Sequence, residues 1–201
     1  MIDIIITVIS IALSYYYTAF MHVFANPAPY KYIVVFIVSF LICWAALFIL
    51  FGIICVIISL PVNINKEYAG TSRFYTTLFG LMLEFAGFLS GAKVIVNGRD
   101  KIPRKERFLF VSNHRSNYDP IIQCGEMKLQ PMAFISKRAN FRIPFIRRYM
   151  VRCRYIPLER KNMRNGAESV MKAARMISSG QSCIGVYPEG TRNTGGNLLD
   201  F

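Results

Sequence analysis

The chain has 201 residues, which is enough for one domain and a membrane anchor. Hydrophobic residues make up 54% of it and the mean hydropathy is +0.36, values that argue against an ordinary soluble globular protein. The net charge of +13 lies entirely in residues 93–201, because residues 1–92 hold three basic and three acidic side chains. Such a charge favours anionic partners: a phospholipid surface, a phosphorylated substrate, an acidic protein or nucleic acid.

Two apolar segments open the chain. Residues 4–24 hold no Lys, Arg, Asp or Glu, and residues 32–60 form a longer uncharged run that ends at Pro61. A helix needs about 20 apolar residues to span a bilayer, so the second segment qualifies and the first is borderline. The first also lacks the basic start and the Ala-x-Ala cleavage site of a signal peptide. We predict a membrane-anchoring helical hairpin over residues 1–66.

Charge and cysteine content predict the side of the membrane on which residues 67–201 lie. The basic residues follow the second apolar segment, and the positive-inside rule places them in the cytosol. The five cysteines are odd in number and form no CxxC pair, so neither a disulfide framework nor a zinc site is indicated. We expect a membrane protein of the cytoplasmic or endoplasmic-reticulum type whose second domain faces the reducing cytosol.

Residues 71–89 are predicted to form an amphipathic helix with aromatic, Leu and Met side chains on one broad face. Two interpretations remain open. Either the helix belongs to the core of the following domain, or it lies in the membrane interface beside a lipid or acyl groove.

From Lys93 onward, short apolar runs alternate with helical patterns. This alternation predicts an α/β domain with a mostly parallel sheet over residues 67–201. The predicted strands are 93–96, 108–112, 132–136, 151–157 and 182–187, and the predicted helices are 120–128 and 161–179.

A His and an Asp stand five positions apart after the apolar run at 108–112, which is predicted to be a buried strand. Residues 113–119 are Asn-His-Arg-Ser-Asn-Tyr-Asp, and Asp119-Pro120 has the form of a helix N-cap followed by a first helical residue. Ligand sites in parallel sheets lie at the carboxyl ends of strands. There His114 is suited to act as a general base, with Asp119 to orient it. The alternative is a solvated histidine beside a plain helix cap.

Two more polar segments follow predicted strands and are expected on the same rim. Residues 156–160 end in an arginine, and residues 189–192 are Glu-Gly-Thr-Arg. Both arginines suit a phosphate, because a guanidinium can bind it through two parallel hydrogen bonds, although either could be a solvated surface charge. A base and a phosphate clamp beside a membrane predict chemistry on a phospholipid-like alcohol.

Four blocks together resemble the 1-acyl-glycerol-3-phosphate acyltransferases, the PlsC-like glycerolipid acyltransferases. The blocks are 113–119, similar to the family's NHxxxxD block; 134–138 (Phe-Ile-Ser-Lys-Arg) with 143–145 (Ile-Pro-Phe), similar to its second block; 155–160 (Tyr-Ile-Pro-Leu-Glu-Arg), similar to its IPxxR block; and 187–192 (Tyr-Pro-Glu-Gly-Thr-Arg), similar to its PEGTR block. The resemblance covers roughly residues 70–201.

The resemblance implies transfer of a fatty acyl group from acyl-CoA or acyl carrier protein to lysophosphatidic acid, giving phosphatidic acid for phospholipid biosynthesis. His114 would deprotonate the acceptor hydroxyl and Asp119 would orient it. No cofactor or metal is expected, because a thioester is already activated. The implied substrate-binding residues are Arg160 and Arg192 on the phosphate, Lys137 as a weaker candidate for it, Glu189 orienting an arginine, and Gly190 and Thr191 shaping the pocket.

Several alternatives stay open at this point. The acceptor could be glycerol-3-phosphate or another lysolipid, or the chain could be an inactive, basic membrane-binding protein. Nucleic acid is not an expected partner, because the basic residues sit beside an apolar hairpin and no nucleic-acid-binding module is visible. The family continues past its EGTR block with another strand, whereas this chain ends nine residues after Arg192, so we expect an acyltransferase domain shortened at its C-terminus.

Overall fold

A computed structural model describes residues 1–25, 28–158, 163–193 and 195. The chain divides into two compact units, Met1–Ile58 and Ser59–Phe201. Within the described residues, the first unit is helical and the second carries a four-stranded sheet with helices on both faces.

The N-terminal unit is an antiparallel pair of long helices, α1 (Ile2–Ala25) and α2 (Pro29–Ser59). Trp44 Nε1 donates to Thr7 Oγ1 at 3.4 Å, and the rings of His22 and Tyr32 stack with centroids 4.9 Å apart. Both helices are long and apolar enough to cross a bilayer, and many of their Ile, Leu and Val side chains are exposed. A helix that is apolar all round and still exposed is suited to lipid. The predicted pair of apolar helices is confirmed.

The second unit alternates helices and strands along most of its length. Its elements are α3 (Arg73–Leu89), β1 (Leu109–Val111), α4 (Asp119–Glu126), β2 (Met132–Lys137), α5 (Pro144–Arg152), β3 (Ile156–Leu158), α6 (Met163–Ser178) and β4 (Cys183–Val186), with short 3-10 helices at Arg99–Lys101 and Arg138–Arg142.

The sheet has the strand order β1-β4-β2-β3, and every pairing is parallel. Val111 lies opposite Val186, and Phe134 lies opposite Gly185. The predicted α/β fold with a mostly parallel sheet is therefore confirmed. Because all four strands run the same way, their carboxyl ends open on one rim.

Alternation along the two central strands sorts their side chains onto two faces. Ala133 and Ile184 pack against α6 on one face. Phe134 and Cys183 pack with Cys124 of α4 on the other. The second unit is thus a three-layer α/β/α arrangement, which fixes the loops at the rim above a buried sheet.

The helix α3 belongs to the core of this unit. Phe79 is 4% exposed and stacks on Tyr149 of α5 with ring centroids 5.4 Å apart. Phe74 and Phe88, near the two ends of the helix, remain exposed. Of the two interpretations of residues 71–89, the structure supports the core helix.

The strand predicted at 93–96 is wrong. Residues 92–98 form no strand, and Ile95 is 72% exposed. A Val-Ile-Val run has high β propensity, but a strand needs a hydrogen-bonded neighbour, and none of the described strands pairs with it. Gly98, with φ 74°, lies at the N-cap of the 3-10 helix Arg99–Lys101 that follows.

The strand predicted at 151–157 is mostly wrong as well, because α5 continues through Arg152 and β3 begins only at Ile156. Pro144 is well placed to begin the helix, and burial of Tyr149 and Met150 against α3 outweighs the β propensity of Val151. Arg154, with φ 60°, turns the chain between the two elements.

The first strand is an edge strand rather than the predicted buried one. Among the described strands β1 pairs with β4 alone. Leu109 is 52% exposed and Val111 is 55% exposed, so one side of β1 is unpaired in this part of the chain.

Candidate active site

The predicted His–Asp loop and the Glu-Gly-Thr-Arg segment meet because β1 and β4 are neighbours in the sheet. The N–H of Asn193 donates to the carbonyl of His114 at 2.7 Å, and the N–H of Ser112 donates to Val186 at 3.2 Å. Two segments about 75 positions apart in sequence therefore form one site.

His114 and Asp119 form a hydrogen-bonded pair in this site. His114 Nδ1 lies 2.9 Å from Asp119 Oδ2, and their side chains are 18% and 22% exposed. With Nδ1 held by the carboxylate, Nε2 is the ring nitrogen that can accept a proton from a substrate. The pair has the arrangement needed for general-base chemistry.

Asp119 is not the helix N-cap that its position suggested, because it is the first residue of α4 and Tyr118 occupies the cap position. Its Oδ2 instead accepts hydrogen bonds from the backbone N–H groups of Arg115 at 2.6 Å and Ser116 at 2.8 Å. Burial acts to raise the pKa of Asp119, but the hydrogen bonds from Ser116, His114 and Arg115 outweigh it and leave that pKa below its ordinary value. The carboxylate is therefore ionised at neutral pH.

Tyr187 is a residue of the site that the sequence did not single out. Its ring stacks on His114 with centroids 4.4 Å apart and an interplanar angle of 25°. Its hydroxyl donates to Gln123 Oε1 at 2.5 Å, and Gln123 Nε2 donates to Ser112 Oγ at 2.9 Å. Gln123 lies four residues after Asp119, on the same face of α4, a spacing that could have pointed to it.

The turn after β4 forms one side of the site. Gly190 has φ 61°, a conformation that favours glycine, and its N–H donates to the backbone carbonyl of Tyr187 at 3.0 Å. Thr191 and Arg192 are exposed, so their polar groups are open to a ligand. Glu189 Oε2 is buried and has no hydrogen-bond partner among the described residues, which leaves it able to accept a bond from a bound molecule or a reoriented arginine.

The two other predicted binding residues follow more distant strands. Lys137 is the last residue of β2 and is exposed. Arg160 lies outside the described residues. The strand before it, β3, is separated from β1 by β4 and β2, which corresponds to about 14 Å across the sheet.

A known protein family matches the part of the chain that contains this site. The family model described as "Acyltransferase" matches residues 93–201, more than half of the chain. The chain belongs to the acyltransferase family. This segment contains the His114–Asp119 pair and the turn after β4.

Curated relatives of this acyltransferase are named 1-acyl-sn-glycerol-3-phosphate acyltransferase. The protein from Borreliella burgdorferi is 34% identical, and the matched region covers 57% of this chain and 45% of that protein. The protein from Haemophilus influenzae is 28% identical, and the matched region covers 70% of this chain and 53% of that protein. The chain spans about half the length of the curated relatives it matches.

A solved structure shares the fold. The crystal structure of the 1-acyl-sn-glycerophosphate (LPA) acyltransferase PlsC from Thermotoga maritima superposes with a TM-score of 0.54 at 19% identity, over 98% of this chain and 66% of that one. At this identity the likeness shows the PlsC-type fold alone.

Two buried cysteines of this acyltransferase, Cys124 and Cys153, are poor nucleophiles. Burial raises the pKa of Cys124 and of Cys153 to about 12, so both thiols stay protonated at neutral pH. In the part of the chain that the structure describes, no group of three or more His, Cys, Asp and Glu residues could hold a metal ion.

Proposed function

We propose that this chain transfers a fatty acyl group from a thioester, acyl-CoA or acyl carrier protein, to the free hydroxyl of lysophosphatidic acid, forming phosphatidic acid. The observation that carries the proposal is the ionised Asp119 holding His114 Nδ1 beside the turn that bears Arg192. The names of the curated relatives support the same reaction.

The reaction follows from the free nitrogen of His114. Nε2 removes the proton of the acceptor hydroxyl as its oxygen attacks the thioester carbonyl. The tetrahedral intermediate collapses, the carbon–sulfur bond breaks, and the departing sulfur takes the proton back from the imidazolium. Asp119 stabilises the imidazolium through its bond to Nδ1, and the ring of Tyr187 supports its plane.

The acceptor phosphate needs a cation near His114. Arg192 is the best-supported candidate, because the turn that carries it is hydrogen-bonded to the His114 loop. Glu189 lies in the same turn, and its Oε2, which has no partner within the described part of the chain, would orient a guanidinium, while Gly190 and Thr191 would shape the pocket. Lys137 and Arg160 are further candidates for the same phosphate.

We also propose that the site works at a membrane surface on the cytosolic side. The two N-terminal helices support membrane attachment, and the concentration of basic residues after them supports the orientation. A lysolipid acceptor is itself a membrane component, so a membrane-bound enzyme meets its substrate without extracting it into water.

The test is thiol release from oleoyl-CoA, and separately from an acyl carrier protein, by the full chain in nanodiscs with lysophosphatidic acid as acceptor. His114→Ala should lower the rate by about a hundredfold or more, the usual contribution of a general base. His22→Ala is the matched control, since His22 is the other of the two histidines in the sequence and lies in α1. Arg192→Gln should raise KM for lysophosphatidic acid more than it lowers kcat.

Acceptor-dependent release that His114→Ala abolishes and His22→Ala retains would support the proposal. Faster release with glycerol-3-phosphate than with lysophosphatidic acid would assign a different acceptor. A folded, membrane-bound preparation that releases no thiol with either donor would instead identify an inactive, basic membrane-binding protein.

A further inference from the structure

A basic groove lies on the second unit, away from the His114–Asp119 pair. It has a volume of about 450 Å³ and runs between residues 64–68, α5 and the edge strand β3. None of its described lining residues belongs to the His114 loop or to the turn after β4. Among the residues that the structure describes, six cationic side chains line this basic groove: Lys66, Arg138, Arg142, Arg147, Arg154 and Lys172.

Two of these six cations have no neutralising partner among the described residues. Among the described lining residues the one carboxylate is Glu67, and Lys172 Nζ pairs with it at 2.5 Å. Arg154 is used structurally, since it donates to the carbonyl of Ala69 at 2.8 Å. The side chains of Arg142 and Arg147, in contrast, make no hydrogen bond or ion pair within the described part of the chain. The basic groove therefore holds uncompensated positive charge.

One wall of the basic groove is fixed in place before any ligand arrives. Arg148 donates to the carbonyls of Leu60 and Val62 at 2.9 Å each, and Arg152 donates to Gly70 at 3.1 Å. The guanidinium of Arg152 also lies 4.7 Å from the centre of the Tyr68 ring. These bonds tie residues 60–70 to α5, so little conformational entropy is lost when an anion binds.

The basic groove also has apolar lining residues, and one of its cations is close in sequence to the predicted membrane anchor. Phe141, Val151 and Tyr155 contribute apolar surface beside the cations. Lys66 follows Ser59, the last residue of the apolar helix α2, by seven positions. In sequence, this cation of the groove is thus joined to the predicted membrane anchor by a short segment.

We propose that the basic groove binds the headgroup of an anionic membrane phospholipid, at a site separate from that of the acyl acceptor. The two unpaired guanidinium groups suit a phosphate, which arginine can bind through paired hydrogen bonds. The apolar lining suits the glycerol and ester portion of a lipid better than it suits a free, fully hydrated anion. The proposal does not depend on the acyl-transfer reaction.

The test is calorimetric titration of the full chain, in neutral detergent micelles, with dioctanoyl-phosphatidylglycerol. Dioctanoyl-phosphatidylcholine is the zwitterionic comparison and inorganic phosphate is the free-anion comparison. The double variant R142Q/R147Q should bind phosphatidylglycerol about twentyfold more weakly, because each basic side chain near a headgroup contributes roughly fivefold. The matched control R104Q/K105Q removes the same charge from exposed positions outside the groove and should change affinity less than about twofold.

Two further variants keep the result interpretable. If thermal unfolding shows that the double variant does not fold, Lys66→Gln removes one groove cation and should weaken binding about fivefold. Arg192→Gln should leave the affinity unchanged.

Selective loss in R142Q/R147Q supports the proposal. Equal losses in the two double variants would overturn it, since they would indicate attraction to the overall charge. Binding of inorganic phosphate or phosphatidylcholine as tightly as phosphatidylglycerol would overturn the assignment to an anionic lipid. Loss in Arg192→Gln, with R142Q/R147Q unaffected, would place the lipid in the acceptor site and overturn the separate groove.

Discussion

Asp119 joins the backbone of its loop to the imidazole of His114. Its Oδ2 accepts hydrogen bonds from two backbone N–H groups and from Nδ1 of His114. A carboxylate with so many donors is held in its ionised form and cannot rotate freely. The loop therefore presents His114 in one orientation before substrate binds.

This arrangement makes stability depend on pH through Asp119. Its pKa in the folded chain is below the ordinary value of 3.8, so the ionised form stabilises the fold above that value and the stabilisation is lost as the pH falls through the folded pKa. Asp119→Asn should lower the unfolding midpoint at about pH 6 and have a smaller effect at about pH 3. Thermal unfolding of both proteins at the two pH values measures this.

Asp100→Asn serves as the control, because Asp100 is exposed and lies outside the loop. Its effect on the unfolding midpoint should be small at both pH values. An Asp119→Asn effect of the same size at both pH values would contradict the role given to the ionised carboxylate.

Tyr187 is a positioning residue that acts through the ring of His114. Tyr187→Leu removes the stacked ring and should lower kcat by about tenfold while leaving KM for the acceptor nearly unchanged, since Tyr187 contacts the base and not the phosphate. Tyr187→Phe keeps the ring and loses only the hydrogen bond to Gln123, so it should restore most of the rate. Steady-state kinetics of the two variants measure kcat and KM separately. A Phe variant as slow as the Leu variant would show that the hydroxyl, and not the stacked ring, positions His114.

The sequence was enough to predict that His114 and Asp119 form a pair, but not which side chains surround them. His114 and Asp119 could be predicted as a pair from their types and spacing, and the structure places them 2.9 Å apart. Tyr187 could not, because its stacking depends on β1 and β4 being neighbours. The N-cap assignment of Asp119 was wrong because three local donors satisfy its carboxylate within the loop.

Helices α3 and α4 approach each other closely at two glycines. A Cβ atom on Gly80 would lie 2.3 Å from Lys128 Cβ and 3.1 Å from the carbonyl of Cys124. A Cβ on Gly125 would lie 3.0 Å from the backbone of Glu84. The two glycines allow the helices to touch backbone to backbone and so fix α4, which begins at Asp119 and carries Gln123.

Gly80→Ala should therefore destabilise the fold by about 1–3 kcal/mol through overpacking. Gly87→Ala is the matched control in the same helix, since a Cβ there meets no atom within 4 Å. It should be neutral or stabilise by up to about 1 kcal/mol, because alanine favours the helix. Denaturant unfolding of both variants compares them, and equal destabilisation would argue against the close crossing.

The strands were predicted correctly where the apolar pattern of the sequence agrees with how the folded chain packs. β2 and β4 are buried on both faces and were predicted from short apolar runs. Residues 93–96 have the same composition, but the described sheet gives them no partner. For α5, the helix depends on burial of Tyr149 and Met150 against α3, a tertiary contact that local propensity cannot supply.

Across the whole molecule, apolar surface and charge are segregated along the chain. Residues 1–92 carry no net charge, and residues 93–201 carry all of the +13. The sequence was sufficient for this division, because hydropathy and charge need no knowledge of contacts. It could not reveal the basic groove, since Lys66, Arg142 and Lys172 come together only through the fold.

The last prediction concerns how deeply α2 enters the bilayer. Trp44 is the single tryptophan in the sequence and lies at the middle of the apolar stretch Tyr30–Ser59. Indole rings usually sit at membrane interfaces, but the N–H of Trp44 has a partner in Thr7 Oγ1 and so can be buried in hydrocarbon. In vesicles of the full chain, lipids brominated near the ends of their acyl chains should quench Trp44 fluorescence more strongly than lipids brominated near the glycerol. Trp44→Phe should abolish the signal. Stronger quenching by the shallow bromines would mean that α2 lies along the interface, and the positive-inside orientation would then lose its basis.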